Sequence, residues 1–181
     1  MAEIGELVKS ARAGEAAAFE QLVRLHMRAA YTVALGVTND PADAEDVTQD
    51  SFITALERLD DCDPDRFSGW LLSIVRNRAL NFRRSQAIRA TAPLEAVESA
   101  ASTSNPARDT ERTLLREDLT AALGELTELQ RQVVMLHDIE GYKHREIGEL
   151  LDISDGASRF HLSTARALLR GKLNGKNGEA I

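Results

Sequence analysis

Two neighbouring stretches of this chain carry opposite charge, and each suits a different kind of surface. From Arg66 to Ala90 there are six arginines and no acid; from Thr38 to Asp65 there are ten acids and one basic residue, Arg58. Guanidinium groups bind phosphate through charge and paired N–H donors, and each neutralised phosphate releases counterions. The arginine-rich stretch therefore suits a nucleic-acid backbone, and the acidic stretch a basic protein surface. The plainer reading of such runs is two solvated helix faces. A third group, Arg159, Phe160, Ser163 and Thr164, falls on one face of a helix at 3.6-residue spacing. Arg159 can donate to guanine edges or to phosphate, and Phe160 can meet a thymine methyl. Ser163 and Thr164 can reach phosphate or base edges. Arg166, Arg170 and Lys172 fit either backbone contacts or ordinary charges near a helix C-terminus.

The absent motifs narrow the chemistry. There is no Gly-rich phosphate loop and no Ser or Cys nucleophile signature, so no catalytic residue is expected. His26, His137, His144, His161 and Cys62 show no metal-ligand spacing, and His26 and His137 read as ordinary helix-face residues. The acidic run Asp40 to Asp50 lacks the Gly and terminal Glu of a calcium loop. No metal and no cofactor are expected. A net charge of −7 over 181 residues argues against indiscriminate coating of nucleic acid, so DNA contact must come from local basic patches. The single cysteine excludes an internal disulfide framework. No basic-then-apolar leader and no apolar run of membrane-spanning length appear, so a cytoplasmic protein without membrane insertion is expected.

The elements that position these groups read as helices throughout. Ala, Leu, Glu and Arg are abundant and favour helix. Glu6 to Ala13 reads as a short helix, followed by one from about Glu15 to Val37 with Phe19, Leu22, Val23, Met27, Ala30, Tyr31 and Ala34 as its apolar face. Asn39-Asp40-Pro41 is a start signal for a helix running to about Asp60. Its expected buried side is Val47, Phe52, Ile53, Leu56 and Leu59. The arginine-rich helix is expected from Ser68 to about Ser85, with Trp70, Leu71, Ile74, Val75 and Leu80 as core positions. From about Gln86 to Thr110 the periodic apolar pattern gives way to Ala, Ser, Thr, Pro and Asn, an exposed linker. Beyond it, Leu114 to Leu123, then a helix capped by Thr127 and ended by Gly141, then Lys143 to Leu151, then Asp155 to about Leu173, form a second helical unit. Asn174 to Ile181 reads as a frayed tail.

Glu146-Ile147-Gly148-Glu149-Leu150-Leu151-Asp152-Ile153-Ser154 followed by a helix is a helix-turn-helix pattern. Gly148 lets the two helices approach closely, and Ile147, Leu151, Ile153 and Leu162 can fill the wedge. Asp152 stands where the turn needs a left-handed residue, which Asp tolerates better than most.

Three stretches in order resemble the extracytoplasmic-function (ECF) class of bacterial RNA polymerase sigma factors. They are Asp43-Ala44-Glu45-Asp46-Val47-Thr48-Gln49-Asp50-Ser51-Phe52, then Phe67 to Arg84 with Trp70-Leu71-Leu72-Ser73-Ile74-Val75-Arg76-Asn77 and Arg83-Arg84, then Leu123 to Leu173. The resemblance covers nearly the whole chain. It implies an all-α fold of two small helical domains joined by a flexible linker, the second a winged-helix-like four-helix domain carrying the helix-turn-helix. The implied division is 1–87 for core-polymerase binding and recognition and melting of the −10 element, 88–110 for the linker, 111–174 for reading the −35 element, and 175–181 for the tail.

By position, the resemblance implies that Asp43, Asp46, Gln49 and Asp50 contact the clamp of core RNA polymerase. Asn77 would line a pocket for a base flipped from the non-template strand. Arg76, Arg78, Arg83 and Arg84 would hold the melted strand and nearby phosphates, with Trp70 a core residue first and a DNA contact second. Arg159, Phe160, Ser163, Thr164 and Arg166 would serve the −35 groove. The implied partners are core RNA polymerase, promoter DNA and an anti-sigma factor, with one copy of the chain per polymerase. The chain departs from the family where Gly156-Ala157-Ser158-Arg159-Phe160-His161 replaces the usual Gly-Thr-Val-Lys-Ser-Arg. Two other readings stay open: a sigma-like mimic that titrates an anti-sigma factor, and a plain helix-turn-helix regulator.

Overall fold

The computed structural model describes residues 2–91 and 121–176, and all the regular structure among them is helical. Four helices form the first unit: α1 (Ala2–Arg12), α2 (Ala16–Thr38), α3 (Pro41–Glu57) and α4 (Phe67–Thr91). Two 3₁₀ turns, Leu59–Asp61 and Pro64–Arg66, join α3 to α4. The second unit has a helical turn at 121–124, α5 (Glu128–Val134) continuing into a π turn (Met135–Ile139), α6 (His144–Leu151) and α7 (Asp155–Lys176). Thus α4 runs past its expected end at Ser85, into the stretch read as linker. The expected linker beyond Thr91, the helix around Leu114 to Leu119 and the end of the tail lie outside the described residues.

Local signals set these boundaries. Asp40 accepts from the N–H groups of Ala42 and Asp43, with Pro41 at the first helical position, so α3 starts where two of its orphan donors are satisfied. At its far end α3 stops at Glu57, three residues before the expected Asp60. The carbonyls of Leu59, Asp60 and Cys62 then accept from the Arg12 guanidinium, which ties α1 across this corner. Thr127 and Gln130 form a reciprocal capping box that starts α5. Asp152 takes the left-handed conformation expected of it, with φ 57°.

The helices pack through small residues as much as large ones. Ala30, Ala34, Ala44, Ser51 and Ala55 are fully buried, and they let α2 and α3 approach closely. Phe67, Leu71, Leu72, Val75 and Ala79 form the buried side of α4. Trp70, Ile74 and Leu80, expected in the core, are only half-buried. Met27 is exposed, and His26 takes its place in the core of α2. The His26 Nδ1–H donates to the Leu22 carbonyl at 2.9 Å, which leaves Nε2 to accept from the Ser68 hydroxyl at 2.8 Å. Both ring nitrogens are satisfied, so a histidine can be buried where the periodicity suggested methionine.

The two units touch. Gly36 of α2 faces α5, where a Cβ would sit 3.3 Å from Gln132 Cγ and 3.5 Å from Met135 Sδ. Glu140 reaches back to α2, accepting from Arg28 Nε at 3.1 Å and from the Thr32 hydroxyl at 2.8 Å.

Candidate nucleic-acid interface

On α3, side chains at 46, 49, 50, 53 and 56 share one face at helical spacing. Asp46 and Gln49 are exposed there. Ile53 and Leu56, expected in the core, are 57% and 51% exposed and join them. Val47 and Phe52 are buried as expected, and Ala44, Thr48, Ser51 and Ala55 complete the buried side of the helix. The sequence held the signal: two sets of positions on α3 satisfy helical periodicity, and only the set with small residues can face α2 closely. The outcome is an aliphatic centre ringed by acids, the make-up of a protein-docking patch. Asp43 lies at the edge of this patch and is half-buried. Its carboxylate accepts from Gln86 Nε2 at 3.1 Å, and burial pushes its pKa above the usual carboxylate range.

The α4 residues separate into three groups. Positions seven apart nearly superpose on a helix of 3.6 residues per turn, so Trp70, Asn77 and Arg84 form one stripe and Arg76 and Arg83 another. Asn77 and Arg84 are exposed and Trp70 half-buried. The second stripe faces the other unit. Arg76 Nε donates to Gln132 Oε1 at 3.3 Å; Arg83 pairs with Glu128 at 2.6 Å and also donates to the Val37 carbonyl. Arg78 turns toward α3, donating to Asp50 at 2.8 Å and to the Thr54 hydroxyl at 2.9 Å. Thus Asp50 and Arg78, assigned to different partners by the resemblance, are paired with each other.

In the helix-turn-helix, Gly148 is required by contact. A Cβ there would lie 2.7 Å from the Ile153 carbonyl oxygen, closer than any side chain allows. Ile147, Leu151, Leu162 and Ala165 fill the wedge between α6 and α7. Ser154 caps α7 by accepting from the Ala157 N–H at 3.1 Å. Arg159 and Ser163 are exposed and Phe160 is 66% exposed, so the expected outer face exists. Thr164 is half-buried, and its hydroxyl bonds back to the Phe160 carbonyl. Arg166 is held away from that face by Asp138, which accepts from its Nε at 3.0 Å and from a terminal nitrogen. That pairing is the main reason the Asp138 pKa lies below the usual carboxylate range.

Two further features escaped the sequence reading. Arg131 is buried, donating to the carbonyls of Leu123 and Leu126, and burial lowers its pKa. It satisfies the carbonyls at the end of the preceding helical turn. A cleft of about 700 Å³ lies between the units, bounded by Trp70, Asp61, Asp65, Tyr142, Arg145 and Glu149.

Comparison with known proteins places these surfaces in a family. The Sigma-70 region 2 model matches residues 22–88, and the Sigma-70, region 4 model matches residues 116–169. The chain is 35% identical over 154 residues to the ECF RNA polymerase sigma factor SigE of Mycolicibacterium smegmatis, matching 84% of this chain and spanning 60% of SigE. It is 32% identical over 168 residues to the ECF RNA polymerase sigma factor SigM of Mycobacterium tuberculosis, 91% of this chain and 81% of SigM. The solved structure of CnrH in complex with the cytosolic domain of CnrY superposes with a TM-score of 0.72 at 29% identity, covering 96% of this chain and 98% of CnrH. With helices in the same arrangement and kinship over most of its length, this chain belongs to the ECF family of RNA polymerase sigma factors.

Proposed function

We propose that this chain is a transcription initiation factor that binds core RNA polymerase and directs it to promoters, under the control of an anti-sigma factor. The face of α3 bearing Asp46, Gln49, Ile53 and Leu56 docks on polymerase. The Trp70–Asn77–Arg84 stripe captures the melted −10 strand, where a pocket for one flipped base offsets the cost of unstacking it. Arginines beside it hold the backbone electrostatically. Arg159, Phe160 and Ser163 of α7 read the −35 groove. The chain itself makes and breaks no bonds; polymerase supplies the chemistry, in the cytoplasm. No described helix is long and apolar enough to cross a membrane.

The observation that carries this reading is the aliphatic-centred acidic face on α3, joined in one chain to an arginine helix and a helix-turn-helix. A plain helix-turn-helix regulator needs no such face. The packing of the two units bears on regulation. Elements centred near −10 and −35 lie about 25 base pairs apart, or ~85 Å at 3.4 Å per pair. Helix α5 cannot rest on α2 and α4 while both readers occupy those elements. Engagement therefore requires the units to part, which frees Arg76 and Arg83 from Gln132 and Glu128. An anti-sigma factor acts by holding the closed form, and the carboxylates lining the cleft suit a basic segment of it.

The test is transcription from genomic fragments by core polymerase with and without the purified chain. Transcripts whose start sites share paired upstream elements are expected. Their absence, with polymerase binding intact, would refute the reading. Capture of an anti-sigma factor without any transcript would assign the chain to the mimic.

A further inference from the structure

Helix α7 is fixed to its unit by polar groups as well as by its apolar wedge. In its first turn Ser158 is fully buried, and its Oγ is hydrogen-bonded to His144 Nδ1 at 2.9 Å. The His144 ring stacks on His137, with centroids 4.7 Å apart and planes inclined by 28°. His137 Nδ1–H donates to Asp138 at 2.8 Å, and Asp138 receives the Arg166 guanidinium. The path Ser158–His144–His137–Asp138–Arg166 thus begins and ends on α7, crossing the start of α6 and the π turn. Ser158 sits within the buried face of α7 and Arg166 on its margin, beside the outer face that carries Arg159, Phe160 and Ser163.

Apolar contacts hold a helix against its neighbours but are non-directional. Hydrogen bonds fix its rotation. Reading base edges requires donors placed to within about 0.5 Å, so the rotation of α7 decides whether Arg159 and Phe160 meet their bases. We propose that Asp138, His137 and His144 are positioning residues for promoter reading, and that Arg166 acts through Asp138 and not on DNA phosphate. This inference rests on α7 being the −35 reader.

The network also makes the reader sensitive to acid. A proton added to the His144 ring places a cation against the stacked His137 ring. Arg159 and Arg166 of α7 lie near and oppose that cation; Asp155 of α7 and Asp138 of the π turn favour it. The balance at His144 already disfavours the proton: its pKa is lowered, first by partial burial, then by His137, Arg159 and Arg166, against Asp155. A histidine with a lowered folded pKa contributes stability fully above its unfolded value of about 6.5, and that contribution is lost as pH falls through the window below it. The grip on α7 therefore weakens as pH drops below about 6.5.

The experiment uses holoenzyme, core polymerase plus the full chain, on the strongest genomic promoter fragment that the wild type recovers. Affinity is measured against salt and against pH. Arg166→Ala and Asp138→Ala are each expected to weaken binding roughly tenfold. The double variant should be no weaker than either single one, and the salt slope should match wild type. A phosphate contact by Arg166 would instead lower that slope by about 0.9. Wild-type affinity should fall between pH 7 and 5.5, and His144→Asn, which keeps a partner for Ser158 but does not titrate, should flatten the profile. A reduced slope for Arg166→Ala with Asp138→Ala harmless, or an unchanged pH profile for His144→Asn, would overturn the proposal. If Asp138→Ala fails to fold, Asp138→Asn is used with the same criteria. Wild-type holoenzyme that ignores the −35 sequence would sink the reading of α7 itself, whereas sequence-dependent binding with the wrong slope sinks only the positioning role.

Discussion

Ile53 and Leu56 offer the sharpest separation of fold from function. Each retains about half of its accessible surface, at 57% and 51%. Full burial of such a side chain stabilises by about 1.5–3 kcal/mol, so covering the remaining half is worth ~0.8–1.5 kcal/mol each. Replacing both by serine should therefore weaken docking on core polymerase by about 1.5–3 kcal/mol, or roughly 10- to 150-fold in Kd. Folding stability should change by no more than about 0.5 kcal/mol per site, because neither side chain fills the core. Phe52→Ala, on the buried side of the same helix, should do the opposite and cost about 3–5 kcal/mol of folding stability. The assay pairs thermal unfolding of the free chain with a fluorescence titration against core polymerase. A double variant that unfolds early but docks normally would refute the argument, since it would mean that this face stabilises the fold and not the complex.

Asn77→Ala should impair promoter opening more than promoter docking, which permanganate footprinting beside a binding assay separates; equal losses in both would remove the flipped-base role. Arg159→Ala should cost about 1–3 kcal/mol at one promoter position if its contact is bidentate, whereas a uniform loss over all sequences would indicate phosphate. Glu140→Ala should loosen the contact between the units. Its carboxylate is nearly buried while Arg28 is largely exposed, so the effect comes mainly from the bond to Thr32 and amounts to about 1–3 kcal/mol. A larger radius of gyration in X-ray scattering is expected, and an unchanged one would mean that other contacts suffice for closure.

The amino-acid order alone determined the helical class, most helix starts and the helix-turn-helix, for local reasons. Asp40-Pro41 and Thr127 satisfy orphan N–H groups within their own first turns. Asp152 and Gly148 meet demands made by residues within five positions of them. The charge reversal at Asp65–Arg66 is likewise a property of the chain. Tertiary structure decided which of two periodic faces of α3 is buried, because that depends on how closely α2 can approach, and so it moved Ile53 and Leu56 to the surface. It buried His26 by supplying Ser68 from 42 residues away. It divided the α4 arginines among Asp50, Gln132 and Glu128, and it paired Arg166 with Asp138. A side chain's charge is written in the sequence, but the partner that takes up that charge is set by which helices meet.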